Sequence, residues 1–169
     1  MPVIRLETYI KAEQQIVFDL SRSIDFQSKI NRSSDERAVA GRTSGLIGLN
    51  ETVTWRGKHL GVVQSLTTRV TEFDRPDFFA DEMVKGAFKS FRHEHYFSTS
   101  NGGTIMRDVF KFQAPLGILG ELANKLFLKS YMSNFLKGRN RVLKDYAESG
   151  RWREVLEGSD QKTVRSGQG

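Results

Sequence analysis

His93 and His95 stand two residues apart in a stretch rich in aromatic residues. On a strand, side chains at i and i+2 share one face. The two imidazoles are therefore expected side by side, with Phe91 and Phe97 flanking them on that face. The next apolar stretch alternates Thr104, Met106, Asp108, Phe110 and Phe112 against Arg107, Val109 and Lys111. The first set suits an interior, and it brings Asp108 near the histidine pair. Asp81, flanked at i±2 by Phe79 and Met83, is a second acid on an apolar face. A buried carboxylate is costly unless it is paired or hydrogen-bonded. Three readings follow: a satisfied polar network that fixes the sheet, a cavity lining that orients a ligand, or a metal or acid–base site built on His93 and His95 with a carboxylate, Asp108 in the acid–base case. No third histidine lies close in sequence, so neither a metal site nor a cofactor is expected. His59 falls in an expected hairpin turn and reads as exposed.

Arg139 is the other candidate. It is the one charge in the middle of a helical stripe that includes Met132, Phe135, Leu136, Val142 and Leu143. An arginine so placed can snorkel, with its stem buried and its head in water. Alternatively it pairs with Asp81 or Asp108, or anchors an anionic group of a ligand.

The elements that position these residues come in three kinds. Residues 3–10 read as a strand, and residues 12–29 as one or two short helices with Ile16, Val17 and Leu20 facing a core. Residues 35–114 are cut by turn residues into strands joined as an antiparallel meander. Turns are expected at Arg56–His59, Asp74–Asp77 and Asn101–Gly103. Residues 117–149 are helical in pattern, with two opposed stripes. Leu119, Leu122, Ala123 and Leu126 lie on one side; Leu128, Tyr131, Met132, Phe135 and Leu136 lie on nearly the other. One straight helix cannot bury both against one surface, so a kink or break is expected near Phe127–Lys129. The division expected is one domain over residues 1–150, followed by a polar, flexible tail over 151–169.

The chain has 169 residues, enough for one domain with a sizeable core. It has no cysteine, which excludes disulfides, thiolate metal sites and a cysteine nucleophile. No apolar run reaches the length of a membrane span, and residues 1–5 do not open a signal peptide, so a cytoplasmic location is expected. No P-loop, dinucleotide fingerprint, nucleophile elbow or nucleic-acid recognition module is visible, and no nucleic-acid partner is expected. The net charge is +6 and uneven. Residues 129–153 hold seven basic side chains against two acidic ones. This basic C-terminal helix is a solvated face or a weak contact for an anionic partner.

An α+β domain follows: a curved antiparallel sheet whose apolar face is covered by the long C-terminal helix. This order of elements resembles the helix-grip fold of the START-type superfamily, in particular its polyketide cyclase/dehydrase-like branch. The resemblance spans roughly residues 2–148. It is carried by Phe18, by residues 79–88 and 93–97, by residues 104–108, and by Pro115-Leu116-Gly117 leading to Arg139-Asn140. It implies a cavity for a small hydrophobic or amphipathic molecule, without implying catalysis. The residues expected to line that cavity are Phe79, Asp81, Met83, Phe91, His93, His95, Phe97, Met106, Asp108, Phe110, Phe135 and Arg139. Binding or carrying a ligand is the leading expectation. A cyclase or dehydratase using a histidine as acid–base is the second, and an interaction module using the basic helix is the third.

Overall fold

The computed structural model describes residues 1–30, 35–114 and 121–165, with side chains over 1–30, 35–114 and 126–158. Strand β1 (Val3–Ile10) leads into two short helices, α1 (Gln14–Ser21) and α2 (Ile24–Ile30). Six strands follow: β2 (Arg37–Gly41), β3 (Thr52–His59), β4 (Val62–Asp74), β5 (Phe78–Lys85), β6 (Ser90–Ser100) and β7 (Gly103–Gln113). Two helices close the chain, α3 (Glu121–Glu148) and α4 (Trp152–Arg165). The seven strands form one antiparallel sheet in the order β1-β7-β6-β5-β4-β3-β2. Strands β2 to β7 are the expected meander, and β1 returns to pair with β7, with Leu6 opposite Asp108.

Turn chemistry sets the register. Asn101 and Gly102 take positive φ values, 46° and 72°, and close the β6–β7 hairpin with Ser100 opposite Gly103. The turn expected at Arg56–His59 is not there. β3 continues through His59, and the two-residue loop is Leu60-Gly61, at φ 52° and 80°. Gly57 looks like a turn glycine in sequence but is buried inside the strand. Leu60 instead takes a left-handed conformation that asparagine or glycine normally fills.

The expected break in the long helix is also absent: α3 is continuous across Phe127–Lys129. Of the first stripe, Leu126 is the member whose side chain is described, and it faces solvent, so no break is needed to bury it. Leu119 and the expected helix start near Gly117 lie outside the described residues. The expected tail needs correction too. Residues 152–165 are helix α4, and Val155 is buried in one core cluster with Phe18, Leu143 and Ala147, against which Trp152 and Leu156 also pack. Apolar residues at 152, 155 and 156 give the helix one narrow core-facing stripe.

The core divides into patches. Phe18 of α1 meets Phe73, Phe79 and Phe97 edge-on, with ring centroids 5.2–5.5 Å apart. These residues, with Val17, Leu20, Phe26, Met106 and Leu143, fill the end nearest α1 and α4. A second patch joins Ile4, Phe91, Phe110 and Phe112 of the sheet to Leu136 of α3. On β6, Phe97 belongs to the first patch and Phe91 to the second. His93 and His95 lie between them on the same inward face.

Candidate functional site

Strand register assembles the polar cluster. Asp81 lies opposite His93 across β5–β6, and His95 lies opposite Asp108 across β6–β7. The hydrogen bonds run along the diagonals. His93 Nε2 is 3.1 Å from Asp108 Oδ1, and His95 Nε2 is 3.2 Å from Asp81 Oδ1. His95 Nδ1 also approaches Asp108 Oδ1 to 2.9 Å, an ion-pair distance at an angle outside hydrogen-bond geometry. The imidazole rings sit 3.9 Å apart, centroid to centroid, and Phe79 stacks on His95 at 4.2 Å. Helix α3 completes the set. Asn140 Nδ2 donates to Asp108 Oδ2 at 2.6 Å.

The charges follow from these contacts. Burial works against ionising Asp108, but the hydrogen bond from His93 and the close approach of His95 outweigh it and hold the carboxyl well below its usual range. Asp81 is likewise lowered: burial is overcome by the hydrogen bond from His95 and by the charges of the histidines and Arg139. Burial also opposes a charge on His95, yet the carboxylates of Asp108 and Asp81 raise its pKa. His93 goes the other way. Burial and then repulsion from His95 lower it to about 4, so at neutral pH it is uncharged. Against the ionised Asp108, its Nε2 must carry the proton, which leaves Nδ1 as the basic atom. His95 as an imidazolium between two carboxylates, with Arg139 near Asp81, gives a neutral buried cluster.

Arg139 lines a cavity of about 150 Å³ together with Asp81, His93, His95, Phe79 and Phe91. Its Nε is buried and has no hydrogen-bond acceptor. A second, more apolar cavity of about 350 Å³ lies beside it, lined by Gly57, Leu60, Phe127, Leu128 and Tyr131 among others. The two share the walls Glu36, Trp55, Leu66, Phe88, Met132 and Phe135. They adjoin between the sheet and α3; the one holding the histidines is called the inner chamber and the one at the β3–β4 tip the outer chamber.

The expected site residues separate into two groups. Phe79, Asp81, Phe91, His93, His95, Phe110, Phe135 and Arg139 line the inner chamber. Met83, Phe97, Met106 and Asp108 are not among its lining residues. Phe97 and Met106 pack around Phe18, Met83 sits beside Gly86, and Asp108 lies behind the histidines it orients. His59, expected to be exposed, is half-buried at the outer chamber. Its Nδ1 is 3.0 Å from the Tyr131 hydroxyl and its Nε2 is 2.9 Å from Glu36 Oε1. Asn140, which helps carry the resemblance, is not among the expected site residues, although its spacing is a signal: it sits four residues after Leu136 and three before Leu143, both buried.

Asp81, His93 and His95 also offer donor atoms within 4.8 Å of one another, close enough to share a metal ion. An ion there would have to displace the proton that His95 holds between its carboxylates, next to the positive Arg139. The donor set is therefore adequate in geometry and poor in charge.

No protein-family model matches the chain, and no curated protein matches it. Solved structures do. TTHA0849 from Thermus thermophilus superposes with a TM-score of 0.72 at 18% identity, covering 88% of this chain and 99% of that one. A START superfamily protein from Mycobacterium smegmatis gives 0.68 at 11%, covering 87% and 97%. The ginseng major latex-like protein 151 from Panax ginseng gives 0.60 at 13%, covering 86% and 97%. The chain has the START-type helix-grip fold: a curved seven-stranded antiparallel sheet around a long C-terminal helix.

Proposed function

We propose that the protein binds a small amphipathic molecule, with its apolar part in the outer chamber and an oxygen-bearing, anionic end against Arg139. The observation that carries this reading is the Arg139 Nε, buried at the inner chamber without an acceptor. A buried guanidinium N–H left unpaired is costly. A carboxylate or similar group entering through the apolar chamber would satisfy it with a charge-assisted hydrogen bond. The apolar walls supply affinity and the few polar groups supply orientation, as in other ligand sites. A cytoplasmic location belongs to the same proposal.

A second reading, acid–base chemistry of the cyclase or dehydratase kind, draws on one observation. His93 lines the chamber and is held uncharged by burial, with Asp108 fixing its tautomer. A base with a pKa near 4 is weak at neutral pH, which favours binding over catalysis. Native mass spectrometry of the protein purified from its own host tests the proposal. A small molecule retained at one per chain is expected. A chain that carries no adduct, and gains none on incubation with its host's organic extract, would refute it.

A further inference from the structure

We infer that the rim of the outer chamber docks on an anionic membrane surface, an inference that goes beyond ligand binding and does not depend on it. The rim is made by the β3–β4 hairpin tip and one end of α3. Leu60, Val62 and Val63 on the hairpin are 55–58% exposed, and Leu126 and Phe127 on α3 are 66% and 57% exposed. They are neighbours. Leu60 and Phe127 line the same chamber, Phe127 stacks on Tyr131, and the Tyr131 hydroxyl meets His59.

Side chains of Val62 and Val63 point to opposite faces of the hairpin, yet both are exposed. No part of the described protein covers either face of the tip. Leu60 also occupies a left-handed turn position at φ 52°. Asparagine would fit that backbone better and leave less apolar surface in water. A leucine there costs the free protein twice, and insertion into an apolar medium offsets the exposure.

Charge selects the occupant. Residues 52–66, which hold the hairpin tip, contain Arg56 and Lys58 and no acidic residue. Residues 122–137, the end of α3 nearest the rim, contain Lys125, Lys129 and Lys137 and no acidic residue. Lys58, opposite Val63 in the hairpin, and Lys129, two residues after Phe127, are exposed beside the apolar side chains. Glu36 at the chamber is hydrogen-bonded to His59. Apolar side chains flanked by cations fit a bilayer with anionic headgroups, where the chains enter the interface and the cations meet the phosphates. A tip with both faces bare suits a soft medium that surrounds it better than a flat protein partner. Docked in this way, the outer chamber would face the lipid.

Co-sedimentation of the full chain with vesicles tests this. The vesicles are phosphatidylcholine alone or with about 30% phosphatidylserine. Binding to the anionic vesicles is expected to exceed binding to the neutral ones by about tenfold or more. Leu60→Asn should lower that binding at least about fivefold while its melting temperature stays level or rises. Leu49→Asn is the control, because Leu49 is exposed to a similar degree but precedes the opposite end of β3; it should bind as the wild type does. Three results would overturn the proposal: wild type that stays in the supernatant with both vesicles, binding unaffected by Leu60→Asn, or binding lost equally in Leu49→Asn. A concentration-dependent dimer that Leu60→Asn abolishes, without vesicle binding, would assign the patch to a second copy and also overturn it. Ligand retention is read independently, so failure here leaves the ligand proposal standing.

Discussion

Lowering the pH from 6.5 to 4 should cost the fold about 3 kcal/mol through His93 alone. Its pKa falls from 6.5 in the unfolded chain to about 4 in the fold. Between those values the unfolded chain binds a proton that the native ring does not, so stability drops as pH falls. A gap of about 2.5 pH units at roughly 1.4 kcal/mol each gives that figure, and below pH about 4 the contribution is constant. The other members of the cluster act in different windows. His95, with a raised pKa, adds stability that is fully present below 6.5 and is lost as pH rises through its folded value. Asp81 and Asp108, with lowered pKa values, add stability that is present above 3.8 and is lost as pH falls through their folded values. His93→Gln keeps a side-chain amide that can donate to Asp108 and removes the titration. Urea unfolding of both proteins at half-unit pH steps reads the difference. The wild type should lose about 3 kcal/mol more than the variant between pH 6.5 and 4. Parallel curves would refute the burial of an uncharged His93.

Two substitutions test the rest of the cluster. Asp108→Asn removes the carboxylate that faces both histidines and should destabilise the protein by about 3–5 kcal/mol at neutral pH, measured by denaturant unfolding; a loss under about 1 kcal/mol would mean that His95 is not charged there. Arg139→Met removes a buried donor that has no acceptor and, with it, a charge that helps hold Asp81 ionised; the two effects oppose, so the melting temperature should change little, and a large drop in differential scanning calorimetry would show that the arginine is chiefly a structural partner of Asp81.

The inward face of the sheet was legible because strand alternation is rigid. Once Phe91, His93, His95 and Phe97 share a face, burying the two phenylalanines buries the histidines as well. The same argument brought in Asp81 and Asp108. Tertiary choices were less visible. Gly57 and Gly61 are equally good turn residues in sequence, and only the pairing of His59 with Val62 decides between them. The two stripes of α3 imply a break if every apolar residue must be buried, and Leu126 shows that here it need not be. Trp152, Val155 and Leu156 are three apolar residues in a polar stretch, too few to show periodicity without the core they pack against. The chamber walls Trp55, Leu66, Phe88 and Met132 come from separate elements, and no local pattern brings them together.

Calorimetric titration of the wild type and of Arg139→Met with dodecanoate and with dodecanol tests the central claim most directly. The two ligands share the apolar chain and differ at the head. The wild type should prefer dodecanoate by about tenfold or more, the scale of one charge-assisted hydrogen bond in a buried site. Arg139→Met should bind both alike, with the affinity for dodecanol retained because the outer chamber is unchanged. Equal affinity of the wild type for the two heads, or a preference that survives in Arg139→Met, would contradict the account.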